Sequence, residues 1–322
     1  MKKTILFAAI AAVAVAACTK PEFVTPEGTV LEDGTEVHYA KGLVIEEIYF
    51  TGSPVEGSES ADDDQYIKLT NTSSETIYAD RVMFVNNYVE GFITETGAYY
   101  TYPELPDGLV VTDMFMIPGS GKDHPIAAGK SIVIAIHANK YVDENPNAVD
   151  LSKADFEFYD GENEFFPDTD NPDVPNLDVW FKSSFTVTIF HHRGLESFAI
   201  VRVPEGETAE SIMTNRHWSG EKHMIFKEWD FKNDIAEDDA FVIPAEWVLD
   251  AVNCTTPDSY YQNPWGPKFD AGWTGVGNYS EDVNNNGKSV ARKVVDGRLI
   301  DSNNSTNDFK ISTPSLKNKA SY

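Results

Sequence analysis

The chain has 322 residues, of which 41% are apolar, with 52 acidic against 25 basic side chains and a formal charge of −27. That apolar fraction supports a packed core and excludes global disorder. So acidic a surface repels nucleic acid and anionic headgroups, so no nucleic-acid partner is expected; the length allows one elaborated domain or two.

The chain opens MKKTILFAAIAAVAVAACTKPE. Lys2 and Lys3 precede an apolar run from Ile5 to Ala14, which is too short to span a bilayer as a helix. Small residues then lead into Cys18. This pattern resembles the bacterial lipoprotein signal, which implies removal of residues 1–17 and diacylation of the Cys18 thiol. Several acyl chains on one residue anchor far more firmly than one. Loss of Lys2 and Lys3 takes the formal charge to −29. Thr19 stands where Asp would retain the protein in the inner membrane. The resemblance therefore places it in the outer membrane, facing the periplasm or the surface. With Cys18 acylated, only Cys254 remains, which rules out an intramolecular disulfide. Cys254 follows the apolar run of WVLDAVNC and reads as a buried structural thiol.

Residues 18–40 are polar and rich in Pro, Gly and acids, and read as a flexible tether. Short segments rich in Val, Ile, Tyr and Phe follow: LVIEEIYF (43–50), QYIKLTN (65–71), TIYADRVMFVN (76–86), DMFMIP (113–118) and KSIVIAIHA (130–138). Their length and the Gly, Pro and Asn between them predict the strands of a sandwich. In QYIKLTN, Ile67 and Leu69 alternate with Tyr66 and Lys68, which predicts one buried face. An acidic, aromatic, proline-bearing stretch over 139–177 then breaks the rhythm and reads as a long insertion or loop. Strands resume after it: SFTVTIFHH (184–192) and SFAIVRV (197–203) predict a hairpin turning at HRGLE, and ETAESIMTNRHW (207–218) a short helix. PAEWVLDAV (244–252) suits a strand or one helical turn, and the chain closes with a hairpin, an Asn-rich lead-out and a tail at 317–322.

LVIEEIYFTGSP, DQYIKLTNTSSETIYADRVMFV and PGSGKDHPIAAGKSIVIA together resemble the lamin-tail superfamily. The closing GKSVARKVVDGR, NNSTNDF and STPS resemble the end of the same domain. More closely, the chain is similar to uncharacterised envelope lipoproteins built around such a domain. The resemblance covers residues 42–138 and 244–315 and implies that the middle, residues 139–243, is a family-specific insertion. It implies an all-β fold: an immunoglobulin-like, lamin-tail-type sandwich over 41–316, with long insertions and few short helices. Where that family has Glu after Tyr-Ile, this chain has Lys68. Such modules bind or build rather than catalyse, so no catalytic residue is carried over.

Three candidate sites come from the residues alone. Asp282, Asn284 and Asn286, followed by Gly287, match the first half of a calcium loop, although Lys293 holds the place of its twelfth-position acid. Trp265 and Trp273 lie in the Gly/Pro-rich NPWGPKFDAGWTGVG, where exposed rings would stack on sugar faces. His191, His192, His217 and His223 lie close in sequence, but neighbours on a strand point to opposite faces. The sequence contains no H-E-x-x-H, no G-x-S-x-G and no intact phosphate loop. The expectation is a lipid-anchored, non-enzymatic binding or accessory module for an outer-membrane transport or surface complex, with no cofactor unless calcium. The alternatives are capture of glycan or metal ions, and a secreted hydrolase.

Overall fold

The computed structural model describes residues 26–88, 97–161, 166, 168–184, 186–234, 240–279 and 282–319. The expected signal segment and Cys18 lie outside these residues. The chain forms the mainly β, sandwich-like fold predicted for it, with short α-helices at Ala209–Asn215 and Ser305–Asp308. One sheet has six strands, ordered Phe156–Glu157, Ser131–Ala135, Tyr66–Asn71, Leu43–Tyr49, Ser289–Arg292 and Phe309–Ser312. The other has five, ordered Asp178–Lys182, Asp113–Met116, Val82–Tyr88, Glu196–Arg202 and Val248–Cys254. PAEWVLDAV supplies both of its predicted forms, a 3-10 turn at Ala245–Trp247 and then a strand.

A bulge sets the pattern of the first strand. Leu43–Tyr49 pairs with Tyr66–Asn71 until the register shifts at Glu46, so Ile45 and Ile48 both face the core. Glu47 and Tyr49 turn to the opposite face. There Tyr66 packs on Tyr49 at 5.5 Å and donates to Glu47 Oε2 at 2.8 Å. That face is covered by Val149, Leu151 and Leu316. The expectation of one buried face for QYIKLTN is thus corrected: returning chain covers the second face as well. Lys68 is half-buried and pairs with Glu46 at 2.8 Å.

Between the sheets lies an aromatic core. Phe84, Phe115, Phe158, Phe190 and Phe198 meet with ring centroids 4.9–6.4 Å apart. Each such ring withdrawn from water is worth about 1.5–3 kcal/mol. Where the sheets meet at one edge, the buried Arg292 donates Nη2 to both oxygens of Asp250 at 2.5 and 2.6 Å, Nε to Ile45 O at 2.8 Å and Nη1 to Ile300 O at 3.1 Å, with Asp301 at 3.3 Å.

Three further expectations change. The 184–192/197–203 hairpin does not form, because Glu196–Arg202 pairs instead with Val82–Tyr88 and Val248–Cys254 at the centre of the second sheet. Its apolar parity, Phe198 and Ile200 inward, is satisfied only in the sandwich interior. For the same reason residues 139–243 are not one insertion: Asp178–Lys182 and Glu196–Arg202 are strands of the sandwich itself. The tether is also partly built. Gly28–Val30 and Glu36–His38 form a small hairpin, joined to the body by Asp301 N donating to His38 O at 2.7 Å. The chain therefore enters the sandwich at the Leu43/Asn71 end. A short hairpin, Val294–Val295 with Arg298–Leu299, lies beside it, and Asp296 and Gly297 supply the positive φ its turn needs.

Candidate functional site

The second sheet turns polar at one end. Phe84, Phe115 and Phe198 face inward from three neighbouring strands, and a strand repeats its face every two residues. One row beyond the rings, the same faces carry Asn86, Asp113 and Glu196, all buried. Asn86 stands in register with both Asp113 and Phe198. Over these groups pass residues 182–184 and 186–193, leaving a cleft of about 520 Å³ walled by Phe115, Val187, Ile189 and Phe190. This lies at the Tyr49/Tyr66 end, opposite to where the tether enters. Pockets of this size accommodate small ligands.

Individual contacts, rather than a strand ladder, hold the covering stretch. Gln65 Nε2 donates to Phe50 O at 2.6 Å and Phe190 O at 2.8 Å, while Phe190 N donates to Gln65 Oε1 at 2.9 Å. One buried amide thus replaces a strand partner. Ser183 donates through N and Oγ to Asp113 Oδ1 at 2.7 and 3.0 Å. The Lys182 ammonium reaches Asp160 and Thr186 O. At the far end His191 N donates to Glu196 Oε1 at 2.8 Å, and Arg193 N to His191 Nδ1 at 3.1 Å. Gly194 closes the turn at φ +65°, where a Cβ would come within 2.6 Å of the Phe50 ring.

Burial sets the electrostatics. It pushes the Glu196 carboxyl up to about 8; the Asp113 charge adds to the rise, and hydrogen bonds from His191 N and Asn86 oppose it. Burial also raises Asp113 against its bonds from Ser183. It lowers His191 to about 4, with His192 and Arg193 acting in the same direction. Near neutral pH the cleft therefore holds a protonated acid and an uncharged imidazole. Arg193 is 6% exposed and gives Nη2 to Asn286 Oδ1. Its Nη1, with Glu196 Oε2, Asn86 Oδ1 and Thr188 Oγ1, is buried without a hydrogen-bond partner. Each such atom costs about 1–3 kcal/mol. Several gathered at one cleft mark a place where folding alone does not account for the polarity. His192 Nε2 lies at the rim, 3.3 Å from Asp63 Oδ1.

The residues proposed from sequence lie elsewhere. Trp265 is 2% exposed, donates Nε1 to Val110 O at 2.7 Å and packs behind the second sheet, so it offers no face to a sugar. Trp273 is half-buried and stacked on Tyr260 at 5.6 Å. Asp282 accepts from the backbone N and side-chain amides of Asn278 and Asn284 and from Asn285 Nδ2, which saturates it. These donors, the Asn278 backbone N–H foremost, hold its carboxyl below the usual range. Asn284 turns its amide nitrogen to Asp282, and the Asn286 oxygen accepts from Arg193. The calcium half-loop is thus an Asx turn opening the 3-10 turn Val283–Asn285. The histidines do not converge: His217 packs on Phe241, and His223 sits between Asp230 and Glu221. Among the described residues no three His, Cys, Asp or Glu side chains form a metal-binding group. Cys254 is buried, its thiol pushed well up by burial.

Asn86, Asp113, Arg193 and Glu196 were not singled out in the sequence. A signal existed: Phe84-x-Asn86, Asp113-x-Phe115 and Glu196-x-Phe198 each put a polar residue on the parity of a core phenylalanine.

Residues 127–315 match the profile of a family described as "Protein of unknown function (DUF4876)". The matched span holds Arg193 and Glu196 but stops short of Asn86 and Asp113. A crystal structure of a DUF4876 family protein from Bacteroides thetaiotaomicron VPI-5482 superposes with a TM-score of 0.65 at 22% identity, over 90% of this chain and 85% of that one. No curated protein matches the chain.

Proposed function

Because the chain belongs to the DUF4876 family, whose function is unknown, we propose from its own chemistry that it is a lipid-anchored, non-enzymatic binding module of the outer membrane. In this reading a lamin-tail-type sandwich holds the cleft under residues 186–193 away from its anchor. The observation that carries it is the set of unpartnered buried atoms of Asn86, Thr188, Arg193 and Glu196 at one cleft. The sequence before Thr19 supports the anchor, and entry of the tether at the opposite end supports a cleft facing away from the lipid. Service to a transport or surface complex fits such a module.

Two experiments test the two halves. Cells grown with radioactive palmitate should label the wild type and not Cys18→Ser, and only the wild type should partition into detergent. Equal labelling or partition removes the anchor. In a thermal-shift panel of small molecules with polar heads and apolar bodies, some should raise the melting temperature of the wild type. Val187→Trp, which fills the cleft, should abolish the shift. A panel without a single hit removes the cleft reading.

One observation favours a second reading, the hydrolase: Asp113, His191 and Glu196, all displaced from their ordinary pKa values, line one cleft. Against it, Asp113 and Glu196 each accept from backbone N–H groups, and His191 Nδ1 is taken by Arg193 N. Turnover of fluorogenic ester or glycoside substrates that disappears in Glu196→Gln would favour the hydrolase.

A further inference from the structure

Resting on the reading of the cleft as a ligand site, we propose that its ligand is a small organic carboxylate, with the carboxylate held by Arg193 and Glu196 and the apolar body against Phe115, Val187, Ile189 and Phe190. Arg193 is committed at one end only: Nη2 is fixed on Asn286 and Nη1 has no partner. A guanidinium does not shed its charge, so this atom remains a donor at every accessible pH. Glu196 is committed in the same half-way fashion, with Oε1 on His191 N and Oε2 free of hydrogen bonds. The proton that burial keeps on this acid makes it a donor near neutral pH as well. Thr188 Oγ1 adds a hydroxyl. These donors lack an acceptor, and a carboxylate presents two acceptor oxygens with the charge Arg193 wants.

The other ligand classes fit less well. A cation would meet Arg193 and a protonated acid. A sugar would meet a wall of Phe115, Val187, Ile189 and Phe190 that offers it no hydrogen bonds. The strongly acidic chain repels anions over most of its surface, so an anion is held best where a buried arginine lacks a counter-charge in contact. Asp282, the acid that acts on Arg193 from a distance, is already saturated by amide donors. The atoms are screened from bulk water, so a ligand reaches them by displacing residues 186–189, which no strand ladder holds, while Phe190 stays pinned by Gln65.

The charged and titratable groups around Glu196 fix the pH signature. Asp113 acts on it from the next strand but one, across Val82–Tyr88, and His191, His192 and Arg193 line the same cleft from the covering stretch. Cys254 stands opposite on the edge strand, and its thiol stays protonated. Ionisation of Glu196 near pH 8 would turn a donor into a second anion facing the ligand. Affinity should therefore hold from about pH 6 to about pH 7.5 and fall about tenfold for each pH unit above about 8.

The experiment is a calorimetric titration of the full chain with 3-phenylpropionate and, in parallel, 3-phenylpropionamide. The acid should bind saturably and the amide at least about tenfold more weakly, and Arg193→Gln should lose about 10- to 100-fold in affinity for the acid. Glu196→Gln keeps a donor that does not ionise, so it should bind 3-phenylpropionate with no fall above about pH 8; this readout does not depend on the arginine variant folding. Equal affinity for acid and amide, no measurable binding of the acid, or an unchanged pH profile in Glu196→Gln overturns the carboxylate assignment. If hits from the wider panel still bind and are blocked by Val187→Trp, the cleft remains a ligand site for another class. If nothing in that panel binds, the cleft reading itself fails.

Discussion

Glu196 links the fold to the cleft, and its burial makes a quantitative prediction. The unfolded side chain loses its proton near 4.5, whereas in the fold it keeps it until about 8. Between those values the folded state binds the extra proton. This group therefore lowers stability as pH rises from 4.5 to 8, and its effect is complete above 8. The slope is about 1.4 kcal/mol per pH unit. A glutamine side chain has nearly the same shape and does not ionise, so Glu196→Gln should gain stability over the wild type by about 2–3 kcal/mol on moving from about pH 5.5 to about pH 7.5. Asp64 and Asp270, each raised to about 6, and Asp250, also raised by burial, titrate in both proteins and cancel in the difference. The assay is urea unfolding of both proteins at the two pH values, with slopes compared to exclude a change in the denatured state. A stability difference that stays constant within about 0.5 kcal/mol would refute the claim that this acid is buried in its neutral form.

Other substitutions probe the frame around the cleft. Arg292→Met should cost about 3–5 kcal/mol, because it strands the Asp250 carboxyl in the core, and Arg292→Lys should rescue little, because one ammonium cannot also serve Ile45 O and Ile300 O; melting temperatures check both. Trp265→Ala should cost about 3–5 kcal/mol in urea unfolding by emptying a packed site and leaving Val110 O without its indole donor, while Trp273→Ala, on a half-buried ring, should cost clearly less. Gly194→Ala should destabilise by about 1–3 kcal/mol, through positive φ and the clash with Phe50, and should disturb ligand binding in the thermal-shift panel along with it. Calcium or its chelation should leave the melting temperature unchanged, because Asp282 is saturated by amide donors.

The strands were legible where alternation and turn residues agree. LVIEEIYF, QYIKLTN, the VMFVN end of TIYADRVMFVN and KSIVIA all became strands of the sandwich. SFTVTIFHH shows the limit. It carries strand-forming residues, yet its neighbour Glu196–Arg202 has two better partners far away in sequence, and no local pattern reveals that competition. The bulge at Glu46 is equally silent in the sequence, though it decides that Glu47 and not Glu46 is buried. The tryptophans misled because Gly/Pro-rich context suggests exposure, whereas Trp265 closes the back of the second sheet. The cleft itself was partly legible. Three polar residues at core parity are visible in the strands, but Arg193 joins them only through a turn whose course depends on Gly194 and Gln65.

The most direct measurement is a crystal structure of the protein soaked with 3-phenylpropionate. The account predicts density for the ligand beneath residues 186–190, its carboxylate within hydrogen-bond distance of Arg193 Nη1 and Glu196 Oε2, and its ring against Phe115 and Ile189. A fully occupied ligand bound elsewhere, with Arg193 and Glu196 unchanged and the cleft empty, would contradict it.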